Sequence, residues 1–254
     1  MIRAEINLFL LALQFLTRFP ISVKTTYSTE NQAASVRYYP AIGLCIGVFA
    51  ASIYWLAHML FATLPALILS TMATLLLTGA FHEDGLVDTF DGIGGGVITK
   101  DRTLDIMKDS RIGTYGASAL VLVLMLKISA LASLTPPLIV LALITGHGLS
   151  RLSCVIVILT STYVRDQGTG KSVSNGMSRT GYSIALATGL LCFIILAYFA
   201  TPIVALFTFA GLAIGHIAIR MLFEHKLGGY TGDTLGAVQQ VSEVGVYLGL
   251  CAWV

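Results

Sequence analysis

The stretch ALILSTMATLLLTGAFHEDGLVDTFDG, residues 66–92, joins an apolar run directly to four carboxylates. Residues 66–81 are long and apolar enough to enter a bilayer. If the helix continues beyond them, Asp84, Asp88 and Asp91 fall at positions i, i+4 and i+7 and share one face, with Glu83 beside them. The stretch therefore predicts a membrane helix whose end carries an acidic cluster.

The composition of the whole chain agrees with a membrane protein. Of its 254 residues, 56% are hydrophobic and only 11% are charged, and the mean hydropathy is +0.85. A soluble domain carries about 25% charged residues, so this composition excludes a soluble cytosolic enzyme and a disordered protein. The net charge of +2 is too small to indicate a nucleic-acid partner. The four cysteines lie in apolar stretches and are read as buried small hydrophobes.

The apolar runs predict an all-α fold, a polytopic helical bundle of about seven transmembrane helices. An N-terminal stretch, residues 6–20, is predicted to be interfacial or re-entrant. We expect a single membrane-embedded domain, 1–254, with loops at 82–113, 161–181 and 220–235. The predicted spans are 40–61, 66–81, 114–134, 138–160, 182–200, 204–220 and 236–254.

Basic residues give the predicted orientation. Thirteen of the fifteen Lys and Arg lie before residue 40 or in the three loops, and the short connectors between the other span ends carry none. By the positive-inside rule, the N-terminus and all three loops face the cytoplasm, as in a multi-pass protein of the bacterial inner membrane. Twelve of the thirteen acidic residues have the same distribution. This one-sided arrangement favours an active site at the cytoplasmic face over a transport path through the membrane.

Carboxylates crowded at a membrane boundary repel one another and need a cation. A solvated acidic face is the alternative. Because the run extends an apolar span and glycines flank it, a divalent ion held by carboxylate oxygens is the better explanation. Magnesium shares its coordination shell with substrate phosphates, so the cluster indicates phosphoryl transfer. The predicted metal ligands or catalytic groups are Glu83, Asp84, Asp88 and Asp91.

Other polar residues are candidates for binding a substrate anion. Lys108, Asp109 and Arg111 precede a helix start that favours anions, and Lys171 lies in a glycine-containing loop. Each also has a simpler interpretation as part of a solvated surface. Arg37 is either a substrate ligand or a membrane-interface anchor.

The last span adds a second polar group. Asp233 stands at the position of a helix N-cap or of a metal or substrate ligand. Gln240 and Glu243 share a helix face further on. Because an ionised residue inside a span is costly, Glu243 is expected to be paired, and Arg151 is its predicted partner or an anionic-substrate ligand. Lys127, the third charge inside a span, has the alternative of snorkelling to the interface.

Several motifs in order resemble the cobalamin synthase family, the adenosylcobinamide-GDP ribazoletransferases. They are FLTRFP at 15–20, YPAIG at 39–43, the acidic motif at 83–91, KDSRIG at 108–113 and GDTLGA at 232–237. The resemblance covers nearly the whole chain. It implies a magnesium-dependent membrane enzyme that joins adenosylcobinamide-GDP to α-ribazole or its 5′-phosphate and releases GMP. It also places the family's acidic motif on Glu83, Asp84, Asp88 and Asp91.

Two alternatives stay open, and so does the state of assembly. A CDP-alcohol phosphotransferase also uses an acidic motif at a membrane interface, but that motif begins D-G-x-x-A-R, and here Asp84-Gly85 is followed by Val87-Asp88 without Ala-Arg. A cation-coupled transporter would use Arg151, Glu243 and Lys127 within the membrane. A homo-oligomer, or association with other enzymes of the pathway, is a further expectation.

Overall fold

The structure, a computed structural model, describes residues 2–96, 99–165, 168–173 and 177–253. These residues form α-helices and no β-strand, which confirms the all-α prediction. Two short 3₁₀ segments, Val36–Tyr38 and Thr169–Val173, accompany the α-helices. In chain order the helices are α1 (Ile2–Leu16), α2 (Thr29–Ser35), α3 (Tyr39–His58), α4 (Thr63–Thr78), α5 (Phe81–Gly94), α6 (Lys100–Ile106), α7 (Thr114–Ala132), α8 (Pro136–Thr160), α9 (Arg179–Phe199), α10 (Pro202–Leu227) and α11 (Gly232–Cys251).

Helices occur at all seven predicted span positions, but not all of them qualify as spans. Five are long and apolar enough to cross a membrane: the continuous segment Thr29–His58, α7, α8, α9 and α10. A sixth span results only if α4 and α5 count as one bent pair. Helix α11 falls outside this set because Asp233, Gln239, Gln240 and Glu243 lower its hydropathy. The polytopic bundle is confirmed, whereas the count of seven spans is not.

The charged segments meet at one end of the bundle. The backbone of the N-terminal segment joins the end of α4, where the Arg18 amide donates to the carbonyl of Leu77 at 2.7 Å. Lys226 at the end of α10 donates to the carbonyl of Gly96 at 2.7 Å. Tyr163 and Tyr230 form an isolated parallel bridge. The segments that the sequence assigns to one side of the membrane are therefore neighbours in space.

The predicted loops contain more helix than expected. Segment 82–113 holds α6 and most of α5, and α10 continues to Leu227, seven residues past the predicted span end at 220. Thr99 caps α6, because its hydroxyl accepts from the amide of Arg102 at 3.3 Å. These helices fix polar side chains in place within the segments that connect the predicted spans.

The acidic residues do not extend the second span, which corrects the expectation of one continuous helix. Helix α4 ends at Thr78, and Gly79 adopts φ +69°, the left-handed conformation that commonly closes a helix. Ala80 follows with φ +56°, and α5 then leaves at 89° to α4. Arg18 packs so closely on Gly79 that a Cβ there would overlap its guanidinium. Helix α5 therefore runs across the end of the bundle instead of along its axis.

Helix α11 lies at the centre of the bundle, against α10, α5 and α8. Its backbone approaches α10 closely because Gly211 and Gly215 of α10 face Gly245 and Gly249 of α11. A Cβ at any of these four positions would overlap a backbone oxygen of the opposite helix. Such small-residue contacts are typical of membrane helix pairs. The polar face of α11 is thereby turned into the interior, next to α5.

Candidate active site

The acidic face of α5 forms one wall of an open groove of about 430 Å³. Lys108, Asp109 and Arg111, from the segment between α6 and α7, line the opposite wall. We call this space the carboxylate groove. It brings together six of the predicted site residues, and its lining consists of Ala80, Glu83, Asp84, Val87, Asp88, Lys108, Asp109, Ser110, Arg111, Ile112 and Leu120.

The basic wall of the groove is partly organised by its own ion pair. Arg111 donates from Nη2 to Asp109 Oδ2 at 2.6 Å and from Nε to Oδ1 at 3.0 Å. These hydrogen bonds lower the pKa of the Asp109 carboxyl to about 2. Asp109 is thus a carboxylate that orients a guanidinium, and 87% of the Arg111 side chain remains exposed.

Asp91 differs from the other acidic residues because backbone amides engage both of its oxygens. Gly113 N donates to Oδ2 at 2.7 Å, and Gly116 N donates to Oδ1 at 2.8 Å. These amides belong to the N-terminus of α7, where a negative charge is stabilised. Asp91 therefore attaches α5 to the start of α7 in addition to any part it has in metal binding.

Asp91→Asn is expected to lower stability by about 1–2 kcal/mol, because an amide group replaces one of the two oxygens that accept from α7. The measurement is the midpoint of thermal unfolding in detergent, expected to fall by about 4 °C for a chain of this size. Asp105→Asn, at an exposed position of α6, is the matched control and should leave the midpoint unchanged. Equal midpoints for wild type and Asp91→Asn would show that this contact contributes nothing.

Asp84 and Asp88 remain directed to the groove, and a third carboxylate lies near them. Burial, together with the negative charges of Asp233 and Asp84, raises the pKa of the Asp88 carboxyl to about 7. Helix α5 lies outside the five spans, and burial of the carboxyl is the largest cause of this shift, ahead of the neighbouring charges. The crowded carboxylates create a local demand for positive charge.

Asp233 is not the N-cap of α11, which corrects the sequence interpretation. Thr231 is the N-cap and forms a capping box with Thr234, so Asp233 belongs to the first helical turn. Its carboxylate instead forms an ion pair with Arg165 at 2.7 Å. Gly85 permits this arrangement, because a Cβ there would lie 2.6 Å from the carbonyl oxygen of Asp233.

Glu83 connects the groove to the interior. It is buried, and its Oε1 accepts from Gln240 Nε2 at 2.7 Å. Its Oε2 is buried and has no hydrogen-bond partner within the part of the chain that the structure describes. A buried carboxylate oxygen without a partner is costly, so this atom marks a position where a bound group would be stabilised.

Behind Glu83 lies a buried polar network that joins α7, α8 and α11. Lys127 Nζ lies 2.7 Å from Glu243 Oε1 and 3.1 Å from Gln240 Oε1. His147 Nδ1 lies 3.1 Å from Glu243 Oε2, and Tyr247 donates to Oε1 at 3.0 Å. The prediction that Glu243 is paired is confirmed.

Arg151 is not the ion-pair partner of Glu243, as one of its two predicted roles required, and its other predicted role, as an anionic-substrate ligand, stays a prediction. Arg151, one helical turn after His147, donates to the His147 carbonyl at 3.0 Å and forms no ion pair with Glu243. It is fully buried, and its Nε lacks a partner among the described residues. Lys127 can reach Glu243 because α7 and α11 are in contact. The sequence alone could not predict that these two helices are neighbours. The snorkelling alternative for Lys127 is excluded.

The other predicted ligands lie away from the groove lining. Arg37 donates from Nε to the carbonyl of Ala34 at 2.9 Å, and its Nη1 lies 3.4 Å from Glu5. Lys171 is exposed in the 3₁₀ segment Thr169–Val173. Their predicted roles in substrate binding stay predictions.

Sequence reasoning missed Arg165 and His147. The sequence identified Arg165 only as one of the loop cations. His147 had a usable signal, since it stands four residues before Arg151 in an apolar run, and polar residues inside spans are rarely without a function.

The donor set suits magnesium only if a substrate completes it. Over residues 2–96, 99–165, 168–173 and 177–253, no group of three or more His, Cys, Asp or Glu side chains could hold a metal ion. Magnesium needs fewer protein ligands, because one or two carboxylates together with phosphate oxygens and waters are its usual shell in phosphoryl-transfer sites. Asp84 and Asp88, which line the groove, fit that requirement.

Comparison with known proteins gives a consistent result. The family model described as "Cobalamin-5-phosphate synthase" matches residues 8–251. The adenosylcobinamide-GDP ribazoletransferase of Shewanella frigidimarina is 41% identical over 98% of this chain and 95% of its own. The proteins of the same name from Shewanella amazonensis and Vibrio cholerae are 40% and 41% identical, over 97% and 99% of this chain and 95% and 96% of theirs.

No solved structure matches the chain. The family model nevertheless covers all but a few residues at each end. The relatives match over almost their whole lengths. The chain belongs to the cobalamin-5-phosphate synthase family.

Proposed function

We propose that this chain is an adenosylcobinamide-GDP ribazoletransferase. It transfers the phosphoryl-cobinamide group of adenosylcobinamide-GDP to a hydroxyl of α-ribazole, or of its 5′-phosphate, and releases GMP. The products are adenosylcobalamin or its 5′-phosphate. The observation that carries the proposal is the carboxylate groove, where Asp84 and Asp88 face Lys108 and Arg111 in a chain of this family.

In the proposed reaction, the ribazole hydroxyl oxygen bonds to the phosphorus that carries cobinamide. The bond from that phosphorus to the bridging oxygen of the pyrophosphate breaks, and the electron pair leaves with GMP. A carboxylate of the groove accepts the hydroxyl proton. Lys108 and Arg111 bind phosphoryl oxygens, whose negative charge is then matched by cations already in place.

Magnesium is the proposed cofactor. Asp84 and Asp88 would hold it, because both line the groove and the negative charges of Asp233 and Asp84 beside Asp88 favour a cation there. When bound, the ion would neutralise the pyrophosphate and stabilise the charge of the leaving group. Glu83 and Asp91 belong to the same acidic motif, and their contacts to Gln240 and to α7 hold α5 in register with the rest of the bundle.

We further propose that the groove opens to the cytoplasm from the bacterial inner membrane. The support is the enrichment of Lys and Arg in segments that meet at the groove end of the bundle. Placing cysteines in the exposed loop around Arg111 and testing their labelling in intact cells and in inverted vesicles would test this orientation. Labelling in intact cells alone would contradict it.

The reaction is tested with purified protein, adenosylcobinamide-GDP, α-ribazole and magnesium, with product masses read directly. We expect equal amounts of adenosylcobalamin and GMP, and none when EDTA is present. Replacing α-ribazole by its 5′-phosphate should give the corresponding 5′-phosphate product. Release of CMP from a CDP-alcohol, without any cobalamin product, would instead establish the phosphotransferase alternative.

A further inference from the structure

A second cavity, of about 880 Å³, adjoins the carboxylate groove. Its charged lining residues are Lys100, Asp101, Lys108 and Arg165, and we call it the basic cavity. Lys108 lines both spaces. The shared side chain makes the basic cavity a direct neighbour of the carboxylate groove.

Arg165 contributes a guanidinium to the lining of this cavity. Its Nη1 pairs with Asp233. Its Nε and Nη2 are buried and have no hydrogen-bond partner among the described residues. A guanidinium presents a rigid fork of donors that suits carboxylate and phosphate oxygens alike. A bound phosphate would therefore engage donors that are now unpaired.

The ion pair with Asp233 holds Arg165 close to the carboxylates of α5. Asp233 interacts electrostatically with Asp88 and Asp84, so it is itself close to the carboxylate groove. A cation bound by these carboxylates would weaken the hold of Asp233 on Arg165. A phosphate in the basic cavity would then compete with Asp233 for the guanidinium.

We propose that the basic cavity binds the phosphate of the departing nucleoside monophosphate, with Arg165 as its principal ligand and Asp233 as the internal carboxylate that it displaces. This inference rests on the proposed function, and it assigns the leaving-group side of the reaction. The volume lies in the range of about 300–1,000 Å³ that is usual for small-molecule sites. Lys100 and Lys108 add charge at the rim.

The test is the direct binding of GMP to purified protein by titration calorimetry, without divalent cation and without cobinamide substrate. Arg165→Gln should weaken GMP binding by about tenfold or more, the loss expected for a charge-assisted contact. Arg165→Lys, which keeps the charge and loses the fork, should recover part of the affinity. Arg102→Gln, at an exposed position of α6 outside the cavity lining, is the control and should bind GMP as wild type does.

Asp233→Asn is expected to change GMP affinity in the opposite direction to Arg165→Gln. Removing the competing carboxylate should tighten GMP binding by about threefold to tenfold, corresponding to about 1 kcal/mol of competition, whereas mere structural damage would weaken it. Inorganic phosphate is the second probe, and it should bind more weakly than GMP if the cavity also contacts the nucleoside.

Unchanged GMP affinity in Arg165→Gln, or an equal loss in Arg102→Gln, would overturn the proposal. So would weaker binding in Asp233→Asn. Failure of the proposed function would give a different result from failure of this binding site. In that case wild type would bind GMP through Arg165 but would form no cobalamin product. Conversely, a wild type that forms product while Arg165→Gln retains full GMP affinity refutes the subsite alone.

Discussion

Asp88→Asn is expected to lower the rate of GMP release by about a thousandfold, the scale of losing one preorganised electrostatic group at a phosphoryl-transfer centre. Asp88 is half-buried in the carboxylate groove, and burial, followed by the negative charges of Asp233 and Asp84, raises the pKa of its carboxyl. Asparagine has nearly the same shape but removes the negative charge. The measurement is GMP release at saturating magnesium, followed by a magnesium titration to separate weaker metal binding from slower chemistry.

Asp84→Asn should behave in the same way, because both side chains line one wall of the groove. Asp105→Asn on α6 removes a carboxylate of the same kind at an exposed site outside the groove, and should leave GMP release within twofold of wild type by ordinary surface tolerance. The unfolding midpoints of the three variants should not fall below wild type, and that of Asp88→Asn should be equal or higher, because the substitution removes a carboxylate that burial and its neighbours disfavour. If Asp84→Asn and Asp88→Asn both kept full magnesium-dependent GMP release, the proposed mechanism would be abandoned.

The sequence predicted the parts of the fold that depend on hydropathy and charge. Apolar runs located a helix at every expected position, and the distribution of Lys and Arg identified the segments that meet at one end. The apolar runs and the distribution of Lys and Arg both reflect the lipid environment. The free-energy cost of placing unpaired backbone groups or charges in lipid does not depend on which helices are neighbours. The acidic and basic motifs that line the carboxylate groove were also recognised from their residue types, and the roles assigned to these residues stay predictions.

What the sequence did not predict depends on packing between distant segments. Gly79 is a residue type that commonly ends a helix. The apolar run and the acidic run were nevertheless predicted as one helix, because no local sequence feature indicates the 89° angle between α4 and α5. Lys127 pairs with Glu243 across 116 positions of chain, while the favoured partner Arg151 is closer in sequence but bonded elsewhere. Arg165 is not part of a recognisable sequence motif. Its contact with Asp233, which distinguishes it from an ordinary solvated cation of a loop, is visible only in the structure.

The second large effect is expected for the buried pair of Lys127 and Glu243. Lys127→Met leaves Glu243 buried beside His147 and Tyr247 without its closest cation. Breaking one partner of a buried pair costs about 3–5 kcal/mol, because the remaining charge is uncompensated. In detergent, the midpoint of thermal unfolding should fall by about 10 °C. Gln240 also loses the donor at its Oε1, so its hold on Glu83 should weaken and GMP release should fall as well.

A double-mutant cycle separates the pair from the rest of the network. Glu243→Gln alone should be about as damaging as Lys127→Met, and the double variant should lose less than the two single losses added together, by about 1–3 kcal/mol. Glu224→Gln is the matched control, because Glu224 forms an ion pair with Arg220 but its side chain is 33% exposed, against 1% for Glu243. An exposed pair of this kind contributes at most about 1 kcal/mol. Strictly additive losses in the cycle would mean that Lys127 and Glu243 stabilise the bundle independently, and that burial of the pair is not what holds Gln240 and Glu83 in place.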